Sequence, residues 1–551
     1  MANRTLPVLI LLFPLAACRD NVAPEPDRHY RARPNPQSIS VLTQHNDNTR
    51  SGWNDHETAL TTSNVNVQQF GKLFTMPVDD QVYAQPLVVG HVVISGGTHN
   101  VAFVATVNNS VYAFDADDGT LYWQKNFTAS GMRPPTHVDM TGACGGSYQD
   151  FSGHIGIVGT PVIDTTRGTI YFVARSTSGT AFVQYLHAVN IADGNEIGAG
   201  PTKINPTANG IGDGSFQGVI TFDAQRQNQR QALSLVNGIV YVTFSSHCDW
   251  RPYHGWILGY DAATLQQEIV YNASPDGEAA GLWESGMGMA ADAEGNLYVA
   301  TGNGSVGDPG VPTDITNRGE SALKLTRADS TLQVASYFTP WNFLYLNDYD
   351  LDYGGMGALL IGNSGFFLTG GKDGNLYLLN KDQMGGYQPS SNAVQQVMTI
   401  GGGATMHCQP AYFGGSSTQF VYVWPENSPL RAIPFDAASN MLNPLRQVLF
   451  SGSGPTGESG AVLSVSSNGS TDGTGIVWAS YAATGNAEHA VSPGILRAFD
   501  ANDVSRELWN NQQNPQRDAG GYYAKFASPT IANGQVYLPT FSNQVVVYGL
   551  L

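Results

Sequence analysis

Ser110 to Trp123 reads SVYAFDADDGTLYW, and this stretch decides the fold. Val111, Tyr112 and Ala113 begin a strand that runs through Phe114 and Asp115 into a turn at Gly119, and a second strand then ends on Trp123. Weaker copies follow at Tyr185 to Asn195, Trp256 to Gln266, Ser321 to Leu332, Asn375 to Met384, Arg431 to Met441 and Ile495 to Trp509, and a degenerate one at Gln544 to Leu550 closes the chain. Copies spaced at roughly 50 to 75 residues, each one small sheet edge, predict an all-β chain: an eight-bladed β-propeller of four-stranded antiparallel sheets.

Composition agrees with that reading. The chain has 551 residues, 63 of them Gly and only 13% charged, which suits many tight turns between short strands better than surface helices. The repeats run on without a polar linker, so residues 38–551 are expected to form one propeller domain. With 44 acidic against 26 basic residues and a net charge of −18, the chain lacks the cationic footprint that a nucleic-acid partner requires.

The N-terminus points to export. Arg4 precedes the apolar run Leu6 to Ala17, too short to span a bilayer, and Leu15-Ala16-Ala17 stands directly before Cys18. Residues 1–18 therefore resemble a bacterial lipoprotein signal with Cys18 as the lipidated residue, against the alternative of an ordinary secretory signal cut nearby. Arg19 at the next position points, by analogy with lipoproteins, to the outer membrane, facing periplasm or cell surface. The Pro- and Arg-rich residues 19–37 read as an unstructured tether, so contact with the membrane is expected through a lipid anchor only. Setting Cys18 aside leaves Cys144, Cys248 and Cys408, so at most one pair can form within the chain; Cys144 with Cys248 is the pair expected, although the sequence does not fix it.

Propellers commonly close by pairing a strand from one terminus with the sheet of the other, a role assigned here to residues 38–42 or 72–78. Each blade opens on a strand after a Pro, as at Gln85-Pro86-Leu87, Thr160-Pro161-Val162 and Ser528-Pro529-Thr530, and continues into an apolar strand such as Thr169 to Ala174. Long inserts at 128–151, 204–231, 303–319 and 341–357 are where binding chemistry is expected.

Ala113-Phe114-Asp115 through Gly119 to Trp123 resembles the A-x-D-x-x-T-G-x-x-x-W repeat of quinoprotein alcohol dehydrogenase-like propellers, including the bacterial secreted members labelled pyrroloquinoline quinone repeat proteins. Three further segments carry the resemblance. Gly281-Leu282-Trp283-Glu284-Ser285 ahead of Thr301-Gly302-Asn303-Gly304 is similar to the family's pairing of a ring-stacking Trp with a calcium-ligating Asn. Phe338-Thr339-Pro340 through Asp348-Tyr349-Asp350 is similar to its T-P-x-D-x-W-D-Y-D stretch, and Gly371-Lys372-Asp373-Gly374 to its K-x-G strand. The resemblance implies pyrroloquinoline quinone and calcium as cofactors, with Trp283, Asn303 and Lys372 holding the quinone, and Asn303, Asp249 and Glu320 the metal. Glu320, where the family has its catalytic Asp, and Asp350 are the candidate catalytic acids. The chain departs from the family in having no Glu on the blade of Val240 to Tyr260, where Asp249 is the sole carboxylate candidate before Tyr260, and in lacking an adjacent Cys pair.

Asp348, Asp350 and Asp352 alternate, as a cation-binding edge or a polar loop would. His154, His247, His254 and His407, with Cys248 and Cys408, form an alternative transition-metal constellation. Three functions are thus in view: oxidation of alcohols or sugars at an axial pocket, a non-enzymatic scaffold with a protein partner at the propeller rim, and a metal-assisted propeller that binds or cleaves polysaccharide. The ligand expected at the axis is a small molecule or carbohydrate.

Overall fold

The computed structural model describes Met1 and residues 38–198, 200–307, 316–400 and 405–551. Cys18 and the signal and tether segments lie outside the described residues. No helix among the described residues is long and apolar enough to cross a membrane.

Eight antiparallel sheets follow one another along the chain: blades 1 to 8 at residues 87–126, 162–203, 227–272, 290–339, 356–399, 411–449, 462–510 and 530–550. Blade 8 contributes three strands, and Phe70–Pro77 supplies its fourth by pairing with Gln544–Leu550, Phe70 opposite Leu550 and Pro77 opposite Gln544. The second of the two segments proposed for closure therefore performs it. Residues 38–42 do something else, described below.

Every sequence copy falls on the third strand of a blade, from Ser110–Asp115 in blade 1 to Gln544–Leu550 in blade 8. In blade 1, Gly119 turns with φ 79°, its N–H returning to the Asp115 carbonyl, and a Cβ there would meet the Phe74 ring at 2.8 Å. The Asp115 carboxylate holds the turn by accepting from the Asp117 N–H and the Tyr122 hydroxyl. A carbonyl within this turn, on the residue after the Asp, has a second use. Tyr537 of blade 8 donates to the Ala116 carbonyl, Trp123 of blade 1 to Ile191, Tyr171 of blade 2 to Ala262 and Tyr422 of blade 6 to Ala501. The repeat is thus an inter-blade fastener: a buried aromatic fills the apolar space between two sheets and spends its polar atom on the neighbouring turn.

Residues 41–54 form a belt around the propeller axis that bonds all eight innermost strands in order. Val41 exchanges hydrogen bonds with Val88, and the carbonyls of Leu42, Asn48, Thr49, Ser51 and Gly52 accept from the N–H groups of Ile163, Ala291, Leu360, Tyr412 and Val465. The Asn48 side chain reaches the Leu235 carbonyl, and the Asn54 side chain that of Ile531. Arg50, fully buried, donates from the belt to the carbonyls of Met289 and Gln44 and to the hydroxyls of Thr43 and Ser234. Beside it Gln44, His45, Gln85, Gln409 and Ser528 form a buried polar plug, with Gln409 bonded to Ser528 and to the carbonyls of Ser285 and Phe526.

Glu284 belongs to the same layer. Burial pushes its carboxyl up to about 8, against the pull of its hydrogen bonds and of Arg50. Its Oε2 faces the Gln231 amide, whose oxygen has no partner among the described residues, so exchanging the amide N and O positions lets the neutral acid donate to it. A raised carboxyl binds its proton in the fold and releases it on unfolding, so stability falls as pH climbs from about 4.5 to about 8. Glu284→Gln should accordingly match the parent near pH 4.5 and gain on it steadily up to pH 8. Urea midpoints at the two pH values check this, and an equal difference at both would contradict it.

Candidate active site

The segments that lead into the innermost strands, and the loops joining second to third strands, surround an axial cavity of about 350 Å³. Trp283, Asp350 and Asp352, His407 and Phe526 come from the lead-in segments; Asp249, Asn303 and Lys372 come from the loops. Because these are the same two positions in successive blades, residues far apart in sequence converge on one space.

One wall is an acid–amide–lysine cluster. The Asn303 side-chain amide donates to Asp350 at 2.6 Å and toward Asp249 at 3.4 Å, and its backbone N–H donates to Asp352 at 2.8 Å. Lys372 Nζ lies 2.6 Å from Asp352 Oδ2 and 3.0 Å from Asp350 Oδ2. Burial works against the Lys372 ammonium, yet Asp352 and Asp350 hold its pKa above the usual range. Burial also opposes the charge on Asp352, but Lys372 keeps that carboxyl below its ordinary value. Asp249 is pushed up, by burial first and then by the charges of Asp352 and Asp350, while accepting from the Tyr253 hydroxyl at 2.5 Å. The Asn303 side-chain oxygen is buried without a hydrogen-bond partner among the described residues.

Trp283 stands edge-on to Phe526, ring centroids 4.9 Å apart, and to His407 at 5.3 Å. The same cavity is lined by a disulfide between Cys144 and Cys248, Cα atoms 5.4 Å apart, which ties the 128–151 insert to the loop carrying Asp249. Cys408 is a buried free thiol.

Other sequence candidates lie elsewhere. Glu320 is fully buried and off the cavity lining, Oε2 accepting from the Tyr353 N–H at 2.6 Å; burial, then Asp352, raises its pKa well above the ordinary value. The alternating aspartates are not on a strand, since Asp348 ends the short helix Phe343–Asp348 and Asp350 has φ 55°. The four histidines are not gathered at one point. His154 is engaged with Asp80, His247 with Tyr148 and Arg175, His254 with Ser274 and the Asp213 carbonyl, and His407 faces Glu458 at 3.0 Å. Of these only His407 lines the cavity. Sequence reasoning missed Arg230, Glu458, Glu488 and Lys525 on the wall. The available signal was position: Arg230, Glu458 and Lys525 lie just ahead of a blade's opening strand.

The two cofactors implied by the resemblance fare differently. A flat quinone fits the chemistry of the wall, which offers an indole, a disulfide and an ammonium around a space of suitable size. Calcium does not fit this chain's side chains as they stand: Lys372 already neutralises Asp350 and Asp352, Glu320 is off the wall, and no group of three His, Cys, Asp or Glu among the described residues is placed to hold a metal.

Comparison with known proteins supports the fold. Residues 74–158 match a family profile described as outer membrane protein assembly factor BamB. No curated protein matches the chain by sequence. Among solved structures, a quinohemoprotein alcohol dehydrogenase from Pseudomonas putida HK5 is similar at 12% identity and TM-score 0.58, over 93% of this chain and 80% of that one. Its counterpart from Comamonas testosteroni gives 14% and 0.56 over 93% and 80%, and a europium-containing methanol dehydrogenase 10% and 0.57 over 94% and 99%. The fold is that of the quinoprotein dehydrogenase propellers.

Proposed function

We propose that this chain is an exported quinoprotein-like oxidoreductase that oxidises an alcohol or sugar in the axial cavity. The observation that carries the reading is the meeting of Trp283, Asn303, Asp249 and Lys372, from separate loops of three blades, around one polar cavity. A scaffold would have its axis filled throughout, whereas here the buried plug leaves the cavity beyond it open. Export is supported by the disulfide, which persists in oxidising compartments, and by the N-terminal signal; lipid attachment at Cys18 belongs to the same proposal.

A quinone bound against Trp283 would supply the two-electron acceptor. The chain's own part is to hold the substrate hydroxyl and remove its proton. Asp249 is the base best suited to this, because it lines the cavity and burial raises its pKa toward the working range, while Tyr253 orients one of its oxygens. Lys372 pairs with Asp350 and Asp352, and these two carboxylates in turn accept from Asn303 and fix it. The test is dye-linked dehydrogenase activity on alcohols and sugars after reconstitution with pyrroloquinoline quinone. Asp249→Asn is expected to lower kcat about 10²–10⁴-fold with the quinone still bound. Unchanged turnover in that variant would remove Asp249 from the role.

A further inference from the structure

Asp249 reaches the cavity from a turn that one of its residues resists. The Trp250 N–H returns to the His247 carbonyl at 3.1 Å, and the two residues between them, Cys248 and Asp249, have φ 51° and 45°. Positive φ at both central residues is the pattern of a type I′ turn, where Gly, Asn and Asp are the residues usually found. Asp249 suits that position; Cys248 does not, because its Cβ makes the left-handed region costly.

What holds Cys248 there is its partner. Cys144 lies in the short turn Ala143–Gly146 of the 128–151 insert, and that insert is firmly anchored. Its Met140, Ala143, Tyr148 and Phe151 are buried in one apolar cluster with Tyr83 and Phe541. Both flanks of the 247–250 turn lean on the same insert: the Tyr148 hydroxyl is 2.8 Å from His247 Nδ1, and the Trp250 indole fills the space that a Cβ on Gly142 would need. The disulfide is the covalent tie of the three, and it stands next to the carboxylate. The Asp249 side chain lines the cavity, where it meets the Tyr253 hydroxyl at 2.5 Å and the Asn303 amide at 3.4 Å.

We propose that the Cys144–Cys248 disulfide is a positioning device for Asp249: it fastens the turn in its left-handed conformation and so keeps the carboxylate in the cavity. Without the crosslink an ordinary residue at 248 returns to negative φ, the turn opens, and Asp249 leaves Tyr253 and Asn303. The inference rests on the reading of Asp249 as the base only for its effect on turnover. The hold on the turn follows from the backbone geometry.

Two variants without the crosslink test it: Cys144→Ala with Cys248→Ala, and Cys144→Ala with Cys248→Gly. Both lose the same loop closure, so a difference between them belongs to the turn, where glycine accepts the left-handed region freely. Hydrogen exchange at the Trp250 amide, which closes the turn, reads the conformation with no cofactor present. Exchange is expected to be at least about tenfold faster in the alanine pair than in the parent, and close to parental in the glycine pair. After reconstitution with pyrroloquinoline quinone, kcat is expected to fall about 10²-fold in the alanine pair and to recover in the glycine pair, with calorimetric quinone affinity equal in all three proteins. In an Asp249→Asn background the alanine pair should cost no further turnover.

Equal Trp250 exchange in the two pairs, or a further loss of turnover in the Asp249→Asn background, overturns the proposal. Fast exchange in the alanine pair with parental turnover would sink Asp249 as the base and leave the crosslink as the holder of the turn. Should the alanine pair fail to fold, reduction of the folded parent by a phosphine replaces it, since Cys248 then keeps its Cβ and loses its tether. Unchanged Trp250 exchange in the reduced parent would equally overturn the proposal.

Discussion

Arg50→Ala is expected to cost the fold about 3–5 kcal/mol, because it strips a buried cation from the junction that binds the belt to the blades. The guanidinium donates to Met289, Gln44, Thr43 and Ser234, which join the belt to blades 3 and 4, and alanine would remove all four bonds and open a void, with only the Ser234 hydroxyl still donating to Met289. The belt makes about one contact per blade, so loosening it at Arg50 removes a support shared by the ring. Arg50→Lys should recover only part of the loss, since an ammonium is a single point where the guanidinium is a fork. Urea midpoints of the three proteins check the expectation. Equal midpoints for the parent and Arg50→Ala would mean that the blades need no axial belt.

Lys372→Met should convert a salt-bridged wall into a cation site. In the parent, Lys372 is the cation shared by Asp350 and Asp352, with Asp249 close by across Asn303. Methionine keeps the length of the side chain and removes its charge, leaving Asp350 and Asp352 without their cation, with Asp249 on the other side of Asn303, whose side-chain oxygen has no partner among the described residues. Mutual repulsion then destabilises the variant at neutral pH and relaxes on acidification, as the carboxylates take up protons. Those four oxygen-bearing side chains are the donors a hard divalent cation prefers. Calcium is therefore expected to raise the variant's melting temperature while leaving the parent's unchanged. At a hundredfold excess over the dissociation constant the gain is about 2.7 kcal/mol. Equal calcium stabilisation of parent and variant would show that Lys372 does not act as the site's own cation.

The fold was legible in the sequence because the fastener repeats. The Asp115 turn and Trp123 recur in weakened form, and each copy marks a third strand, so eight copies count eight blades. The belt was not legible. Residues 41–54 carry no strand pattern, since they bond eight different strands at one or two residues each and periodicity cannot develop. Within the site, Trp283, Asn303, Lys372 and Asp249 were readable from family-like spacing, and all line the cavity. Glu320 does not line the cavity, because its side chain is buried and engaged with backbone, accepting from the Tyr353 N–H. Arg230 and Lys525 were hidden for another reason. Arg230 sits among polar residues, between Gln229 and Gln231 with Arg226 shortly before it, Lys525 stands between Ala524 and Phe526, and only the fold brings the two together, Arg230 donating to the Lys525 carbonyl.

The most direct test of the account is calorimetric titration of pyrroloquinoline quinone into the purified protein and its Trp283→Ala variant, followed in parallel by tryptophan fluorescence. The account predicts one saturable site per chain, quenching of Trp283 emission, and affinity about tenfold or more weaker in the variant, in line with the loss of a stacking wall. A flat thermogram with unchanged fluorescence in the parent would contradict it.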